Sequence, residues 1–269
     1  MIKKIFSYTI GILVCCFLIG FSQAKAITIQ DDFSSDPTTN WQLNGNAKWN
    51  GDQAQVDLTN DVWQRGSMWY NQSFDLSKYK SFIAEFDFSV GSKDQGADGI
   101  TFAVINKSNG LNALGRGGSG LGYGGILNSF AVEFDTYRNW GYDPSYDDHI
   151  GIDKNGNLSS LKTLTVENIE TSGFKHAKIK FDIPTGAISV YLDKNNDGNV
   201  DYTLDYTITD FTPFEAYFGF TGATGSCYNL QSVDNFNLTL NPVPIPSSML
   251  LLLSGLIGGF YVKTKEKIK

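Results

Sequence analysis

Hydrophobic and polar residues alternate along most of this chain in short runs, which is typical of β-strands that bury one face. No segment between residues 28 and 240 shows the 3.6-residue period of a long amphipathic helix. Turns rich in glycine and asparagine separate the runs, the clearest of which span residues 81–89, 178–182, 187–192 and 233–240. Many short strands at close spacing predict an all-β sandwich. One domain suffices, because β-sandwiches of roughly 200–250 residues are commonly undivided.

One alternating run carries the most distinctive chemistry. Glu133 and Asp135 are two residues apart on a predicted strand, so both carboxylates point to the same face. Hard oxygen ligands suit Ca²⁺, and an added imidazole suits a transition ion such as Mn²⁺. The alternative interpretation is that the two acids form the solvent face of an edge strand. Three more candidate ligands follow within a short distance: Asn139, Asp143 and His149.

The N-terminal residues 1–26 have the features of a secretory signal peptide. Two early lysines precede an apolar run over residues 10–21, and Ala24-Lys25-Ala26 then supplies an A-x-A cleavage site. The run is short for a transmembrane helix. Two of the three cysteines lie inside it, so Cys227 is the single cysteine of the predicted mature chain. We therefore expect export and no internal disulfide.

The C-terminal residues 242–269 form a second targeting signal. An apolar segment over residues 249–262 is followed by four lysines, a pattern that holds a chain in the membrane with the lysines inside. A permanent anchor helix is one interpretation. The Val-Pro-x-Pro-Ser-Ser opening at residues 243–248 resembles the PEP-CTERM sorting signal of Gram-negative bacteria, which an exosortase removes. Ile245 stands where that signal usually has glutamate. Both interpretations place the folded domain at the cell surface or outside the cell.

The charge of the predicted mature domain argues against nucleic acid as a partner. The chain has 21 basic and 28 acidic residues. Seven lysines and one glutamate lie in the terminal segments, which leaves 14 basic and 27 acidic side chains, a net charge of −13, in residues 27–241. Phosphate binding requires a basic surface. The glycine-rich residues 117–125 are not predicted to cradle phosphate either, because a strand rather than a helix follows them.

Four motifs occur in the order found in the legume-type (L-type) lectins. Residues 96–104 resemble the family's Ala-Asp-Gly strand, and residues 117–125 resemble its glycine-rich loop. Residues 131–153 resemble its metal-binding strand and loop, and residues 217–225 resemble its late strand and specificity loop. The resemblance covers roughly residues 28–240, and four ordered motifs are far more specific than one. It implies a concanavalin-like jelly-roll β-sandwich that binds carbohydrate with the help of Ca²⁺ and Mn²⁺ or another transition ion.

The resemblance also implies a role for each candidate residue. Glu133 and His149 would bind the transition ion, Asp135 and Asp143 would bridge both ions, and Tyr137 and Asn139 would complete the calcium side. The metals would order the loop rather than catalyse a reaction, and the peptide between Ala97 and Asp98 would be cis. The implied sugar-binding residues are Asp98, Gly118, Gly120, Tyr137, Asn139, Thr224 and Gly225.

Two departures from the family pattern leave alternatives open. One extra residue separates Asp143 from His149, so Asp147 or Asp148 could supply a ligand or push the histidine out of reach. An enzyme on the same fold is the main rival, but the second glutamate of the jelly-roll glucanases is replaced by Arg138, so hydrolysis is not expected. A structural matrix protein with a vestigial sugar site is a third reading. Residues 193–201 resemble a calcium loop, but a tight hairpin turn is the preferred interpretation.

Overall fold

The computed structural model describes residues 25–141, 143–144 and 146–244. Nearly all of the predicted signal peptide and sorting segment lies outside these residues. Within the described ranges, no helix is long and apolar enough to cross a membrane. Residues Ala26–Val243 form one compact unit.

Extended strands joined by short turns make up this unit, as the alternating pattern predicts. The described residues contain four short 3-10 helices, at Pro37–Thr39, Leu76–Lys78, Lys107–Asn109 and Gly118–Gly120. The strands are β1 (Ile27–Asp31), β2 (Trp41–Gly45), β3 (Lys48–Asn50), β4 (Gln55–Thr59), β5 (Arg65–Tyr70), β6 (Phe74–Asp75), β7 (Tyr79–Ser89), β8 (Gly99–Asn106), β9 (Ser129–Asp135), β10 (His149–Lys154), β11 (Asn157–Thr165), β12 (Lys175–Asp182), β13 (Ala187–Asp193), β14 (Tyr202–Thr207), β15 (Glu215–Ala223) and β16 (Gln231–Pro242).

Two antiparallel sheets of eight strands pack face to face. The back sheet has the order β14-β13-β12-β7-β16-β4-β3, with β1 also paired to β16. The front sheet has the order β11-β10-β9-β8-β15-β5-β2, with β6 also paired to β15. Non-consecutive strands are neighbours in both sheets, as expected for a jelly-roll connection. The predicted all-β, single-domain sandwich is confirmed.

Phenylalanine rings fill the space between the sheets. Phe86 of the back sheet lies 5.6 Å from Phe102 and 4.8 Å from Phe220, both in the front sheet, measured between ring centroids. Phe88 and Phe134 approach to 4.5 Å. Such pairs contribute about 0.5–1.5 kcal/mol each beyond the area they bury. Because Phe134 points into this core, the alternation of β9 forces the carboxylates of Glu133 and Asp135 to the opposite face.

The outer face of the front sheet is covered in part by the glycine-rich loop. Leu121, Tyr123 and Ile126 pack there against Trp69, whose indole N–H donates to Ala113 O at 2.8 Å. The loop is thus held against the sheet rather than extended into solvent. Its 3-10 turn, Gly118–Gly120, lies near Asp98, the residue directly before β8, since a Cβ atom at Gly118 would be 3.9 Å from Asp98 Oδ2.

The Asp193–Asp201 segment forms the turn of a hairpin. Leu192 of β13 pairs with Tyr202 of β14. The Asp193 carboxylate accepts hydrogen bonds from the backbone N–H groups of Asn195, Asp197 and Gly198. Because these bonds stabilise the turn itself, the arrangement agrees with the hairpin interpretation of this segment.

Candidate functional site

Strand pairing brings three candidate metal ligands together on the outer face of the front sheet. His149 lies opposite Asp135 in the antiparallel β9–β10 pair, and Gly151 lies opposite Glu133. Ligand atoms of Glu133, Asp135 and His149 all lie within 4.8 Å of one another. All three side chains are almost fully buried, at 1%, 2% and 1% exposure. Two buried carboxylates are incompatible with the alternative of a solvent-facing edge strand.

The imidazole of His149 is oriented by its own loop. Nδ1 lies 3.0 Å from the backbone carbonyl oxygen of Asp147, and since that oxygen can only accept, Nδ1–H donates. Nε2 then faces Glu133 Oε1 at 3.2 Å. A metal-binding histidine usually donates its second ring N–H in this way, which fixes the tautomer and turns a lone pair towards the ion.

The extra residue before His149 is absorbed without moving the histidine away from Glu133. Asp148 turns from the cluster, and its carboxylate accepts from Ile169 N at 2.5 Å. Its backbone carbonyl accepts from Val166 N at 3.1 Å. Asp148 therefore anchors the loop to the segment after β11, and His149 lies beside Glu133.

Two groups behind Glu133 were missed in the sequence. Ser160 Oγ donates to Glu133 and lies 2.8 Å from Asp153 Oδ1. Asp153 is fully buried, and it shares a face of β10 with His149 because the two are four residues apart. That spacing could have identified Asp153 from the sequence. No sequence signal identifies Ser160, because it reaches Glu133 only through the pairing of β11 with β10.

Gly151 leaves the space that the Glu133 carboxylate occupies. A Cβ atom at Gly151 would lie 2.0 Å from Glu133 Oε1 and 2.5 Å from Ser160 Oγ. No side chain fits there unless the carboxylate moves. Glycine at position 151 therefore allows the Glu133 carboxylate to occupy its observed position.

Burial, and then mutual repulsion, disfavour the charged carboxylates of the cluster. Burial, followed by the nearby charges of Glu133 and Asp143, holds the pKa of Asp135 well above its ordinary value. Burial and the adjacent Glu133 do the same for the pKa of Asp153. A bound cation would offset this repulsion. The two carboxylates of Glu133 and Asp135 and the imidazole of His149 are a donor set suited to a divalent cation.

The loop after β9 places Asn139 and Asp143 together. Asn139 N–H donates to the Asp143 carboxylate, and Asp143 N–H donates back to Asn139 O at 3.2 Å. Tyr137 N–H donates to Asp135 Oδ1 at 2.8 Å, which ties the loop to the strand end. Asn139 Oδ1 is buried and has no hydrogen-bond partner within the described ranges. An orphaned amide oxygen beside carboxylates fits a calcium ligand.

Asp98 is clamped at the start of β8 by both neighbouring strands. Its N–H donates to Ala223 O at 3.0 Å, and its carbonyl accepts from Thr136 N at 2.9 Å. The Ala97–Asp98 peptide bond is cis, as the resemblance implies. The buried Gln231 amide supports the same turn by donating to Ala97 O at 2.9 Å.

The Asp98 carboxylate is aimed into a cleft. Asp98 is only 3% exposed, and Oδ2 has no hydrogen-bond partner in the part of the chain that the structure describes. Burial raises the pKa of Asp98 to about 7, against the lowering effect of the nearby Asn139 amide. A buried acceptor without a donor has a free energy cost that a ligand hydroxyl would remove.

Six of the seven predicted sugar-binding residues line this one cleft, whose volume is about 560 Å³. Gly120 does not line it. Gly120 is buried, and its N–H donates to Gly117 O at 3.1 Å within the 3-10 turn, so Ser119 borders the cleft instead. Lining residues outside the predicted sugar-binding set include Trp63, Gln64, Arg65, Ser119, Ser226 and Cys227.

Arg138 occupies the position of the missing second glutamate. Its guanidinium lies 3.7 Å from the centroid of the exposed Trp140 ring. No carboxylate partner for a retaining glycosidase pair is supplied from this position. The geometry therefore suits recognition rather than cleavage of a sugar.

Comparisons with known proteins all point to one family, the legume-type lectins. The model of the "Legume lectin beta-barrel domain" matches residues 32–236. A galactose-binding lectin of Arachis hypogaea is 29% identical over 231 residues, which are 78% of this chain and 82% of that protein. A lectin of Lens culinaris subsp. orientalis is 27% identical over 61% of this chain. An L-type lectin-domain containing receptor kinase IX.2 of Arabidopsis thaliana is 29% identical over 57%. The chain spans 63% of that Lens lectin and 25% of the kinase.

Solved structures show the same fold. Peanut lectin with a 9mer peptide superposes with a TM-score of 0.71 at 22% identity, covering 83% of this chain and 100% of that chain. Winged bean acidic lectin complexed with methyl-α-D-galactose has a TM-score of 0.68 at 25% identity, covering 81% and 99%. Lectins bind carbohydrate and are not enzymes. Because the family model covers well over half of the sequence, this chain belongs to the legume lectin beta-barrel domain family.

Proposed function

We propose that this chain is an exported, calcium-dependent lectin that acts at the cell surface or in the extracellular polysaccharide matrix. The observation that carries the proposal is a pair of buried oxygens beside one cleft that have no hydrogen-bond partner among the described residues. Asp98 Oδ2 would accept from sugar hydroxyls, and Asn139 Oδ1 would hold calcium while its amide N–H donates to the same sugar. Membership of a lectin family supports this assignment.

Metal binding would order the loop that carries Asn139. Asp135, Asp143, Asn139 and the Tyr137 carbonyl would hold Ca²⁺, and Glu133 and His149 would complete a neighbouring transition-ion site with the bridging aspartates. The calcium part rests on the donor set and on the unpartnered Asn139 oxygen. The transition-ion part rests on the orientation of His149 by the Asp147 carbonyl. In both cases the ion supplies positive charge and rigidity, and the protein supplies the sugar contacts.

Export and sorting are supported by the terminal patterns of the sequence. The A-x-A site predicts release of residues 1–26, and the Val-Pro-x-Pro-Ser-Ser segment suggests processing by an exosortase after transient membrane anchoring. A permanent anchor is the alternative. The sugar itself is left open, since the specificity segment after β15 differs in length and shape among lectins.

A glycan array separates this proposal from its rivals. A lectin binds a defined glycan set with calcium and loses it with EDTA. A glycoside hydrolase on the same fold would shorten its glycans during incubation, which mass spectrometry of the recovered glycans would detect. A matrix protein with a vestigial site would bind no glycan whose binding is lost on substitution of Asp98.

A further inference from the structure

A tryptophan side chain stands in solvent at the candidate sugar-binding cleft. Trp63 is 76% exposed, although an indole gains free energy from burial. It lines the same cleft as Asp98 and Asn139. Trp140 is similarly exposed, at 79%, but is not among the lining residues and has Arg138 stacked on its ring.

The backbone around Trp63 is fixed to the segment that carries the predicted site residues. Trp63 N–H donates to Gly225 O at 2.9 Å. The next residue, Gln64, exchanges backbone contacts with Thr224, since its N–H donates to Thr224 Oγ1 at 2.9 Å and its carbonyl accepts from Thr224 N at 2.9 Å. Thr224 Oγ1 in turn donates to Asp61 O at 2.6 Å. The exposed indole is therefore presented by an ordered loop, which lowers the entropy cost of binding.

Gly225 connects the indole to the Asp98 carboxylate. A Cβ atom at Gly225 would lie 3.4 Å from Asp98 Oδ2, so the glycine backbone itself borders the carboxylate. The backbone N–H of Trp63 donates to the carbonyl oxygen of the same glycine. Asp98, Gly225 and Trp63 thus line the same cleft of about 560 Å³, with Gly225 next to the Asp98 carboxylate and hydrogen-bonded to the backbone of Trp63.

The remaining groups near Trp63 suit a neutral, hydroxyl-rich ligand. Gln64, Ser119 and Ser226 line the cleft with uncharged polar groups. The guanidinium of Arg65 is partly engaged, because Nη1 donates to Gly115 O at 2.8 Å. An aromatic face flanked by neutral hydrogen-bonding groups is complementary to a pyranose ring, which has an apolar face and a rim of hydroxyls.

We propose that Trp63 is the stacking platform of a second subsite, so that the preferred ligand is an oligosaccharide of two or more units rather than a single sugar. This inference rests on the proposed lectin function. The terminal unit would bind between Asp98 and Asn139, and the next unit would pack on the indole of Trp63. Affinity would then depend on the glycosidic linkage, because the linkage decides whether the second ring can extend past Gly225 onto the indole of Trp63.

The test compares Trp63→Asn with Trp140→Ala in the otherwise unchanged mature domain. Trp63 has a φ of 55°, in the left-handed region that asparagine tolerates well, so Trp63→Asn removes the indole and keeps the backbone. Trp140→Ala removes an equally exposed tryptophan outside the cleft. The probes are methyl α-D-galactoside, methyl α-D-mannoside and N-acetylgalactosamine, each with di- and trisaccharides that end in it, titrated calorimetrically in calcium.

We expect the wild type to bind one oligosaccharide series at least about tenfold more tightly than its terminal monosaccharide. Trp63→Asn should weaken the oligosaccharide about fivefold to tenfold and leave the monosaccharide within about twofold. Trp140→Ala should change neither. Equal affinity of the wild type for mono- and oligosaccharide, or an equal loss for both in Trp63→Asn, would overturn the second subsite while leaving the lectin function intact. Absence of any Asp98-dependent binding would instead remove the lectin function, and the subsite with it.

Discussion

The imidazole Nε2 of His149 lies 3.2 Å from Glu133 Oε1, and both side chains are buried against the outer face of the front sheet. The two residues are far apart in sequence and meet because β9 and β10 pair with His149 opposite Asp135. Since Nδ1–H donates to the Asp147 carbonyl, the free nitrogen is the one that faces the carboxylates. The histidine is therefore already oriented for the metal ion that we propose for this cluster.

Metal ions should stabilise the mature domain. A ligand that binds only the folded state adds about RT ln(1 + [L]/Kd) to the free energy of unfolding. We expect calcium to raise the melting temperature above its value in EDTA, and manganese to raise it further. His149→Ala should remove the manganese increment and retain the calcium increment, measured by scanning calorimetry. An unchanged midpoint in EDTA, calcium and manganese would contradict the metal site.

Substitution of Gly151 should disturb Glu133 specifically. A Cβ atom there would lie 2.0 Å from the Glu133 carboxylate, so Gly151→Ala forces the carboxylate to move. We expect the free energy of unfolding to fall by roughly 1–3 kcal/mol, as for other overpacked sites. The rise in melting temperature caused by manganese should also be lost. Gly117→Ala is the matched control, because the nearest atom to its Cβ is 3.9 Å away. Equal denaturation midpoints for the two variants would show that the close approach is relieved without cost.

A buried glutamate outside the cleft should make stability depend on pH. Glu170 is 3% exposed, and burial, followed by the charge of Asp148, raises its pKa to about 8. Between about pH 4.5 and 8 the folded state then binds more protons than the unfolded state, so the free energy of unfolding falls as pH rises. Glu170→Gln should reduce that slope, whatever its absolute stability. Urea unfolding in EDTA at several pH values measures it, and an unchanged slope would show that Glu170 is ionised throughout.

The termini should be processed during export. We expect the protein released from the cell surface to begin at Ile27 and, if the sorting segment is cleaved, to end near Val243. Intact-mass analysis distinguishes the possibilities. A species that retains residues 249–269 would identify a permanently anchored protein.

Sequence pattern was sufficient for the fold and for most of the candidate site. The alternation that places Phe134 in the core also places Glu133 and Asp135 on the opposite face, and the same two-residue period after His149 could have identified Asp153, which was not predicted. Pairing between distant strands could not be inferred in the same way. Ser160 reaches Glu133 only because β11 pairs with β10, and Trp63 reaches the cleft only because its loop is hydrogen-bonded to Gly225. The N–H of Gly120 is bonded to Gly117 O inside a local 3-10 turn, while Gly118 and Ser119 of the same turn line the cleft, a distinction that the glycine-rich motif does not make.

The most direct test of the lectin site compares Asp98→Ala with Asn139→Ala in titrations of calcium and of a glycan identified on the array. In the proposed site Asp98 would contact the sugar and not the metal. Asp98→Ala should therefore lose at least tenfold in glycan affinity, because charge-assisted hydrogen bonds are worth about 1.5–3 kcal/mol each. Its calcium affinity should match the wild type. Asn139→Ala should weaken both, because its oxygen would hold the ion and its nitrogen the ligand. Wild-type glycan affinity in Asp98→Ala would contradict the site and limit the resemblance to the fold.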